Sequence, residues 1–297
     1  MLYQLSGRVQ LSLGGVSLKF IQATDMPSSH NFALTGDDHD GSLLCHHDGL
    51  NQQVDWASKK GNYLGKMGDA IEAIMTDDKR YDRTSQDSVP LQQADGVIER
   101  YKPVGKKIKF WLIGNHELKL HRFGDLGKYM ADGIDCPYGT YTSVVEVSDK
   151  YGPMYRIFAS HGFGMIKSNA KDAEQQQGNM KAALKMKLRE KRGDCVVQAM
   201  GHTHKLIIVP PSGKLYLYTD ENGKTKQGYL SSGNPTAQYI DPDQRWYVNT
   251  GSFLKLYNDD LDVSGYAEVK GYDPVNLGFP IIKVRDRKVV SIDPVIL

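Results

Sequence analysis

Along the first two thirds of the chain, short apolar runs stop at polar turns, and the turns are alike. Asn31 to Thr35 reads as a strand and runs into Gly36-Asp37-Asp38-His39. Lys107 to Ile113 runs likewise into Gly114-Asn115-His116-Glu117, Met154 to Ala159 into Ser160-His161-Gly162, and Cys195 to Met200 into Gly201-His202-Thr203-His204. Asn62 to Met67 leads to Gly68-Asp69, although it is less apolar than a buried parallel strand should be. Between these runs the spacing predicts helices over Asp69 to Met75, Gln92 to Tyr101 and Asn179 to Lys191, the last with Met180, Leu184 and Leu188 four apart. Strand, polar turn, helix, strand is the alternation of an α/β chain.

The two ends differ from this middle. Arg8 to Phe20 alternates apolar and polar positions around Gly14-Gly15, which predicts an N-terminal β-hairpin. After His204, turn signals at Pro210-Pro211, Asp220 to Gly223 and Ser232 to Pro235 separate runs rich in Tyr, Val, Ile and Leu, so 205–297 is expected to be β-rich. Its aromatics Tyr216, Tyr218, Tyr229, Tyr239, Trp246 and Tyr247 are expected to pack a sheet, with a few able to stack on bases. Thr76 to Asp87 and Ser168 to Gly178 read as loops. With no repeat and no linker in view, one domain over 1–297 with two β-layers is expected, its motif-bearing core running from 31 to 255.

Composition narrows the class. At 297 residues, 40% hydrophobic and 24% charged, the chain is long enough and apolar enough to bury a core, which excludes disordered, collagen-like and coiled-coil chains. The net charge of +2 makes attraction to nucleic acid a matter of local patches. Cys45, Cys136 and Cys195 form no C-x-x-C pair, so neither a disulfide framework nor a cysteine-built zinc site is expected, and a reducing, cytoplasmic setting fits. The start lacks the basic and apolar segments of a secretion signal, and no apolar run reaches the ~18 residues of a membrane span.

Of nine histidines, His39, His116, His161, His202 and His204 fall in the glycine-flanked turns after the predicted strands. Ligands of open α/β sheets bind beyond the carboxyl ends of the strands, so turns distant in sequence can meet there. What would meet is a set of oxygen and nitrogen donors: the carboxylates of Asp37 and Asp69, the imidazoles of His39, His161, His202 and His204, and the amide oxygen of Asn115. With no thiolate among them, they suit Mn²⁺, Fe, Zn²⁺ or Ni²⁺. So many donors exceed one tetrahedral zinc and suit two cations sharing a carboxylate, about 3.5 to 4 Å apart as in two-metal phosphotransfer sites. Two divalent ions, two carboxylates and a bridging hydroxide would leave a net positive charge that draws in an anionic ester. The same ions would bring the pKa of the shared water from about 15.7 towards about 7, giving a hydroxide able to attack phosphorus.

Taken in order, Gly36-Asp37-Asp38-His39, Gly68-Asp69-Ala-Ile-Glu72, Gly114-Asn115-His116-Glu117, Ser160-His161-Gly162 and Gly201-His202-Thr203-His204 resemble the motifs of the calcineurin-like metallophosphoesterases. They span more than half the chain, and Val248 to Ser252 resembles a strand and turn found after the last motif in many members. The resemblance implies a two-sheet β-sandwich flanked by helices, with the site at one edge. It implies Asp37, His39 and His204 on one metal ion, Asn115, His161 and His202 on the other, and Asp69 bridging both. The cofactors so implied are two divalent ions, Mn²⁺ foremost. His116, beside Asn115 at the scissile phosphate, is implied as a non-ligand imidazole that protonates the leaving oxygen or stabilises charge. The second motif commonly ends in Asp or Asn where this chain has Glu72. Glu72, Asp40, His46 and His47 are expected not to be ligands, and His30 and His121 to be structural.

The function expected is a metal-dependent hydrolase of phosphoester bonds, a phosphodiesterase or nuclease acting on nucleic acid or nucleotides. The alternatives are a phosphomonoesterase or protein phosphatase of the same fold, and a binding scaffold that has lost catalysis. Lys181 to Arg192 carries six basic residues between the fourth and fifth motifs. That segment either buries Leu184 and Leu188 and solvates the rest, or offers Lys185 and Lys187 to a nucleic-acid backbone.

Overall fold

Alternate residues of the buried strands face different neighbours, and the alternation builds three layers of apolar packing. The computed structural model describes residues 18–78, 81, 89–230, 234–257, 266–269 and 271–297. Positions 8–17 of the hairpin expected over Arg8 to Phe20, and part of the loop expected over Thr76 to Asp87, lie outside these residues, whereas Lys19 and Phe20 open a strand that pairs in parallel with residues 143 and 144.

The elements run in the order β1 (Lys19–Ala23), β2 (His30–Thr35), α1 (His47–Ser58), β3 (Asn62–Met67), α2 (Pro90–Tyr101), β4 (Ile108–Leu112), α3 (Asn115–Lys119), α4 (Leu126–Ile134), β5 (Thr142–Asp149) and β6 (Gly152–Ser160). They continue with α5 (Ala173–Leu188), β7 (Val197–Met200), β8 (Leu206–Val209), β9 (Lys214–Thr219), β10 (Thr225–Leu230), β11 (Trp246–Thr250), α6 (Tyr266–Val269), β12 (Gly278–Arg285) and β13 (Lys288–Ile296). One sheet has the order β1-β5-β6-β7-β11-β8, the other β13-β12-β2-β3-β4, and β9 and β10 pair as a separate ribbon. Strands β2, β3 and β4 are mutually parallel, as are β6 and β7.

The two large sheets stack face to face. Phe32 and Leu34 of β2, Phe110 and Leu112 of β4, Ile157 and Ala159 of β6, and Val197 and Ala199 of β7 fill the gap between them. Residues of opposite parity face the helices. Ala33 shares one apolar cluster with Leu50, Val97 and Met130 of α1, α2 and α4, while Phe158 and Met200 share another with Leu184 and Leu188 of α5. The result is a two-sheet sandwich flanked by helices, and the β-rich C-terminal part completes both sheets through β8, β11, β12 and β13. Among the described residues no helix is long and apolar enough to cross a membrane.

Strand β3 looks insufficiently apolar because two of its positions are specialised. Gly65 leaves room for the Phe110 ring, whose Cε1 would lie 2.2 Å from a Cβ there. Lys66 is buried, its Nζ 2.5 Å from Asp38 Oδ2 and 3.0 Å from the Tyr101 hydroxyl.

Three expectations need correction. Asp69 to Met75 is not a helix, because its backbone N–H groups are taken elsewhere. Ala70 and Ile71 donate to Glu117 Oε1, Glu72 to the carbonyl of Asp40, and Ala73 to Gln93 Oε1. The helix expected from Asn179 begins at Ala173, where Asp172 caps it by accepting from the Gln175 amide at 2.8 Å, so half of the loop expected over Ser168 to Gly178 is helical. Tyr216, Tyr218 and Tyr229 are exposed rather than packed in a core, since among the described residues no layer covers the β9–β10 ribbon; Tyr239, in the segment after the ribbon, is exposed as well, whereas Tyr247 is buried.

Candidate metal centre

Each candidate ligand follows the carboxyl end of a strand, and tight turns aim the side chains inward. Asp37 and His39 follow β2, Asp69 follows β3, Asn115 and His116 follow β4, His161 ends the β6 turn, and His202 and His204 follow β7. Backbone bonds lash the first two turns together: Asp37 N to Gly68 O at 2.9 Å, His39 N to Asp69 O at 3.1 Å, and Asp40 N to Ala70 O at 3.0 Å. Asp37, His39, Asp69, His202 and His204 all have positive φ, between 50° and 69°. Non-glycine residues adopt that conformation at a cost of order 1–3 kcal/mol each when surrounding contacts impose it. Such turns reverse the chain within one or two residues, which lets consecutive motif residues share one site.

Close approach also explains a glycine. A Cβ on Gly114 would fall 1.9 Å from Asp69 Oδ1, so only glycine lets the turn after β4 lie against that carboxylate. Glu117 then ties the turns together, its Oε2 accepting from Gly114 N at 2.9 Å and its Oε1 from Ala70 N at 2.6 Å.

Three groups of side chains bring potential ligand atoms within 4.8 Å of one another: Asp37, His39 and His204; Asp69, His161 and His202; and His39, Asp69 and His116. Asn115 joins the second, its Oδ1 lying 3.0 Å from His161 Nε2 and 2.6 Å from His202 Nδ1. His39 and His204 face each other through their Nε2 atoms at 3.2 Å. Asp37 Oδ1 is buried and accepts no hydrogen bond among the described residues, with His204 Nε2 at 3.5 Å. An orphaned buried carboxylate oxygen beside converging imidazole nitrogens is costly for a protein alone and suits a cation. These residues therefore fit divalent metal ions in chemistry and placement. Asp40, Cys45 and His47 also approach one another, but Asp40 is held by Arg100 at 3.0 Å, a fixed cation that opposes a second one.

The charge balance of the protein by itself points the same way. Burial works against a charge on His39, yet the carboxylates of Glu72, Asp69 and Asp37 overcome it and raise the ring to about 9. His161 is raised to about 10, because Asp69 and Asp37 outweigh its burial. Burial pushes Asp37 up to about 7, whereas His161 and His116 overcome the burial of Asp69 and hold it well below the usual carboxylate range. His204 is depressed by burial and by neighbouring His39. The site thus attracts positive charge, and a bound cation would take over from the protons on His39 and His161.

Glu72 has a part that sequence reasoning missed. Its Oε2 lies 2.6 Å from His39 Nδ1, which assigns the proton to Nδ1 and leaves Nε2 as the donor atom. The carbonyl of Glu72 likewise accepts from His116 Nδ1. A sequence signal was present in the i+3 spacing after Asp69, but nothing in it says which imidazole the carboxylate meets. Glu72→Gln is expected to weaken metal affinity by about 10- to 100-fold while the fold persists. Titration of the purified variant with Mn²⁺ measures this, and wild-type affinity would remove Glu72 from the assembly.

The other expected residues are accounted for. Ser252 Oγ and Phe253 N both donate to the carbonyl of Asp37 at 3.0 Å, so the turn after β11 buttresses the first motif. His46 caps α1 by accepting from Gly49 N, and His30 is buried against Tyr155. Lys185 pairs with Asp243 at 2.6 Å, on the face of α5 beside Tyr247. Lys187 donates to the carbonyl of Phe163 at 3.3 Å, on the loop that follows His161.

No family model and no curated protein matches the chain. Among solved structures, the NAD nucleotidase of Haemophilus influenzae aligns at 13% identity with a TM-score of 0.33, over 94% of this chain and 50% of that enzyme. The chain spans about half the length of the structure it matches.

Proposed function

We propose that the chain is a metal-dependent phosphoester hydrolase, with a phosphodiester of nucleic acid or a nucleotide as its substrate. The observation that carries this is the pair of donor groups that share a buried edge between the sheets, one of them containing an orphaned carboxylate oxygen. In this assignment Asp37, His39 and His204 hold one divalent ion, Asn115, His161 and His202 hold the other, and Asp69 serves both. Mn²⁺ is the ion proposed, with Fe, Zn²⁺ and Ni²⁺ compatible with the same donors. When bound, such ions supply Lewis acidity towards the phosphoryl oxygens and charge to offset the anionic transition state.

The chain's own residues orient and move protons. Glu72 holds His39 by its Nδ1. His116 donates its Nδ1 proton to the Glu72 carbonyl, so proton transfer to the leaving oxygen falls to its Nε2. Burial lowers the pKa of His116 in spite of Asp69, so before substrate arrives the ring is neutral at pH 7. An arriving phosphate anion favours the imidazolium and charges Nε2 for that transfer.

The experiment is hydrolysis of bis-p-nitrophenyl phosphate and p-nitrophenyl phosphate by the Mn²⁺-loaded protein, the diester being cut faster. Faster cleavage of the monoester reassigns the substrate class, and cleavage of neither with two metals bound leaves a binding scaffold. His116→Ala is expected to lower kcat about 100- to 10,000-fold for alkyl esters, whose leaving group needs a proton, and much less for nitrophenyl esters. Equal losses on both would end the proton-donor role.

A further inference from the structure

A cavity of about 580 Å³ opens beside the candidate metal centre, with His202, Thr203 and His204 on one side. Its volume falls within the range of pockets that enclose a whole small molecule, about 300 to 1,000 Å³, and far exceeds what a single phosphate fills. The loop after His161 supplies Met165, Lys167 and Asn169, α5 supplies Gln176, and the segment ahead of β12 supplies Tyr272 and Asp273.

We propose that this cavity receives a nucleotide arm of the substrate: a nucleoside bearing a phosphate beyond the one at the metal centre. The inference rests on the hydrolase assignment and extends it to the group that the site recognises. Three features of the lining carry it. Lys167 and Lys205 both line the cavity, and among the described residues neither pairs with a carboxylate; the Lys205 Nζ rests 3.5 Å from the Met180 sulfur. Ammonium groups left unneutralised beside a phosphoryl site suit a second anionic group. Met165 is 56% exposed and Tyr272 is 41% exposed, so the cavity presents large apolar surfaces. A thioether and a phenol ring offer soft, flat contact to a planar base. The third feature is polar and neutral or acidic: Asn169 and Gln176 offer amide donors and acceptors of the kind that read a base edge, and the Asp273 carboxylate can accept from ribose hydroxyls. A phospholipid would call for an apolar wall without amides and carboxylate. A phosphopeptide would call for an extended groove rather than a cavity beside the centre.

The test is calorimetric binding to the metal-free, full-length protein, so that it stands apart from catalysis. The probes are adenosine 5′-diphosphate, inorganic pyrophosphate and adenosine. The diphosphate is expected to bind at least tenfold more tightly than pyrophosphate or adenosine alone, since it uses both halves of the cavity. Lys167→Ala and Lys205→Ala are each expected to weaken the diphosphate about tenfold, the worth of one charge-assisted hydrogen bond, and to leave adenosine unchanged. Tyr272→Ala should weaken adenosine and the diphosphate alike. All three side chains are at least partly exposed, so the variants are expected to fold, and their thermal midpoints verify it. Diphosphate binding no tighter than pyrophosphate overturns the proposal, as does a Lys167→Ala/Lys205→Ala double variant with wild-type affinity. Tighter binding of a phosphoserine peptide or of anionic phospholipid vesicles replaces the nucleotide by that class. Nucleotide binding without hydrolysis of any ester would retain the pocket and remove the hydrolase assignment.

Discussion

Asp69→Asn is expected to abolish phosphoester hydrolysis and to leave the purified protein with fewer than two bound metal ions. Asp69 groups with His161 and His202 on one side and with His39 on the other, so in the proposed assignment its loss touches both metal positions at once. The substitution keeps the size of the side chain and removes its charge. His161 Nε2, 3.2 Å from Asp69 Oδ2, then loses the partner that raises its pKa most. The amide of His116, which donates to Asp69 Oδ1 at 2.9 Å, still finds an oxygen there, so the turn itself should hold. Metal analysis and the diester assay read the two consequences separately. A variant with two tightly held ions and full turnover would show that Asp69 is not shared between them, and the two-metal assignment would fall.

Lys66→Met is expected to be the most destabilising single substitution considered for this chain. Lys66, Asp38, Tyr101 and Gln53 form a buried polar cluster directly behind the first motif, with Lys66 only 1% exposed and Asp38 fully buried. Asp38 Oδ2 accepts from both Lys66 Nζ and the Tyr101 hydroxyl, and its Oδ1 already lacks a hydrogen bond among the described residues. Removing the ammonium strands a carboxylate in the interior. Breaking a buried pair from one side costs about 3–5 kcal/mol, while replacing both partners by apolar groups is often neutral. Denaturant unfolding should therefore show a loss of that order for Lys66→Met and recovery of much of it in Lys66→Met/Asp38→Leu. If the double variant is no more stable than the single, the cost lies in packing and not in charge.

The strands that lead to the candidate ligands were legible because each apolar run breaks sharply into glycine and polar residues, a contrast that survives any tertiary context. Helicity of Asp69 to Met75 was not decidable from spacing, since Glu117 and Gln93, distant in sequence, capture the N–H groups that a helix would have used. The start of α5 was hidden by the polar stretch from Glu174 to Gly178, although Asp172 was a readable cap. Lys66 in a strand reads as a solvent-facing residue, and only the fold reveals Asp38 behind it. The residue types of the donor set could be read one by one. Their division into groups, and the pairing of Glu72 with His39, depend on which turns face each other across the sandwich. The exposure of Tyr216 and Tyr218 was equally out of reach, because alternation along a ribbon looks the same whether or not a third layer covers it.

Two of the donor groups draw on both sheets. Asp37 and His39 come from the β2 end of one and His204 from the β7 end of the other; Asp69 belongs to the first, His161 and His202 to the second. An ion gripped by either trio would be a clasp across the seam of the sandwich, fastening parts of the chain more than 130 positions apart as a covalent staple would. By mass action, its concentration then adds directly to resistance against unfolding. With such an ion bound, melting temperatures would describe a protein–ion pair, and two such values would be comparable only at the same free ion level.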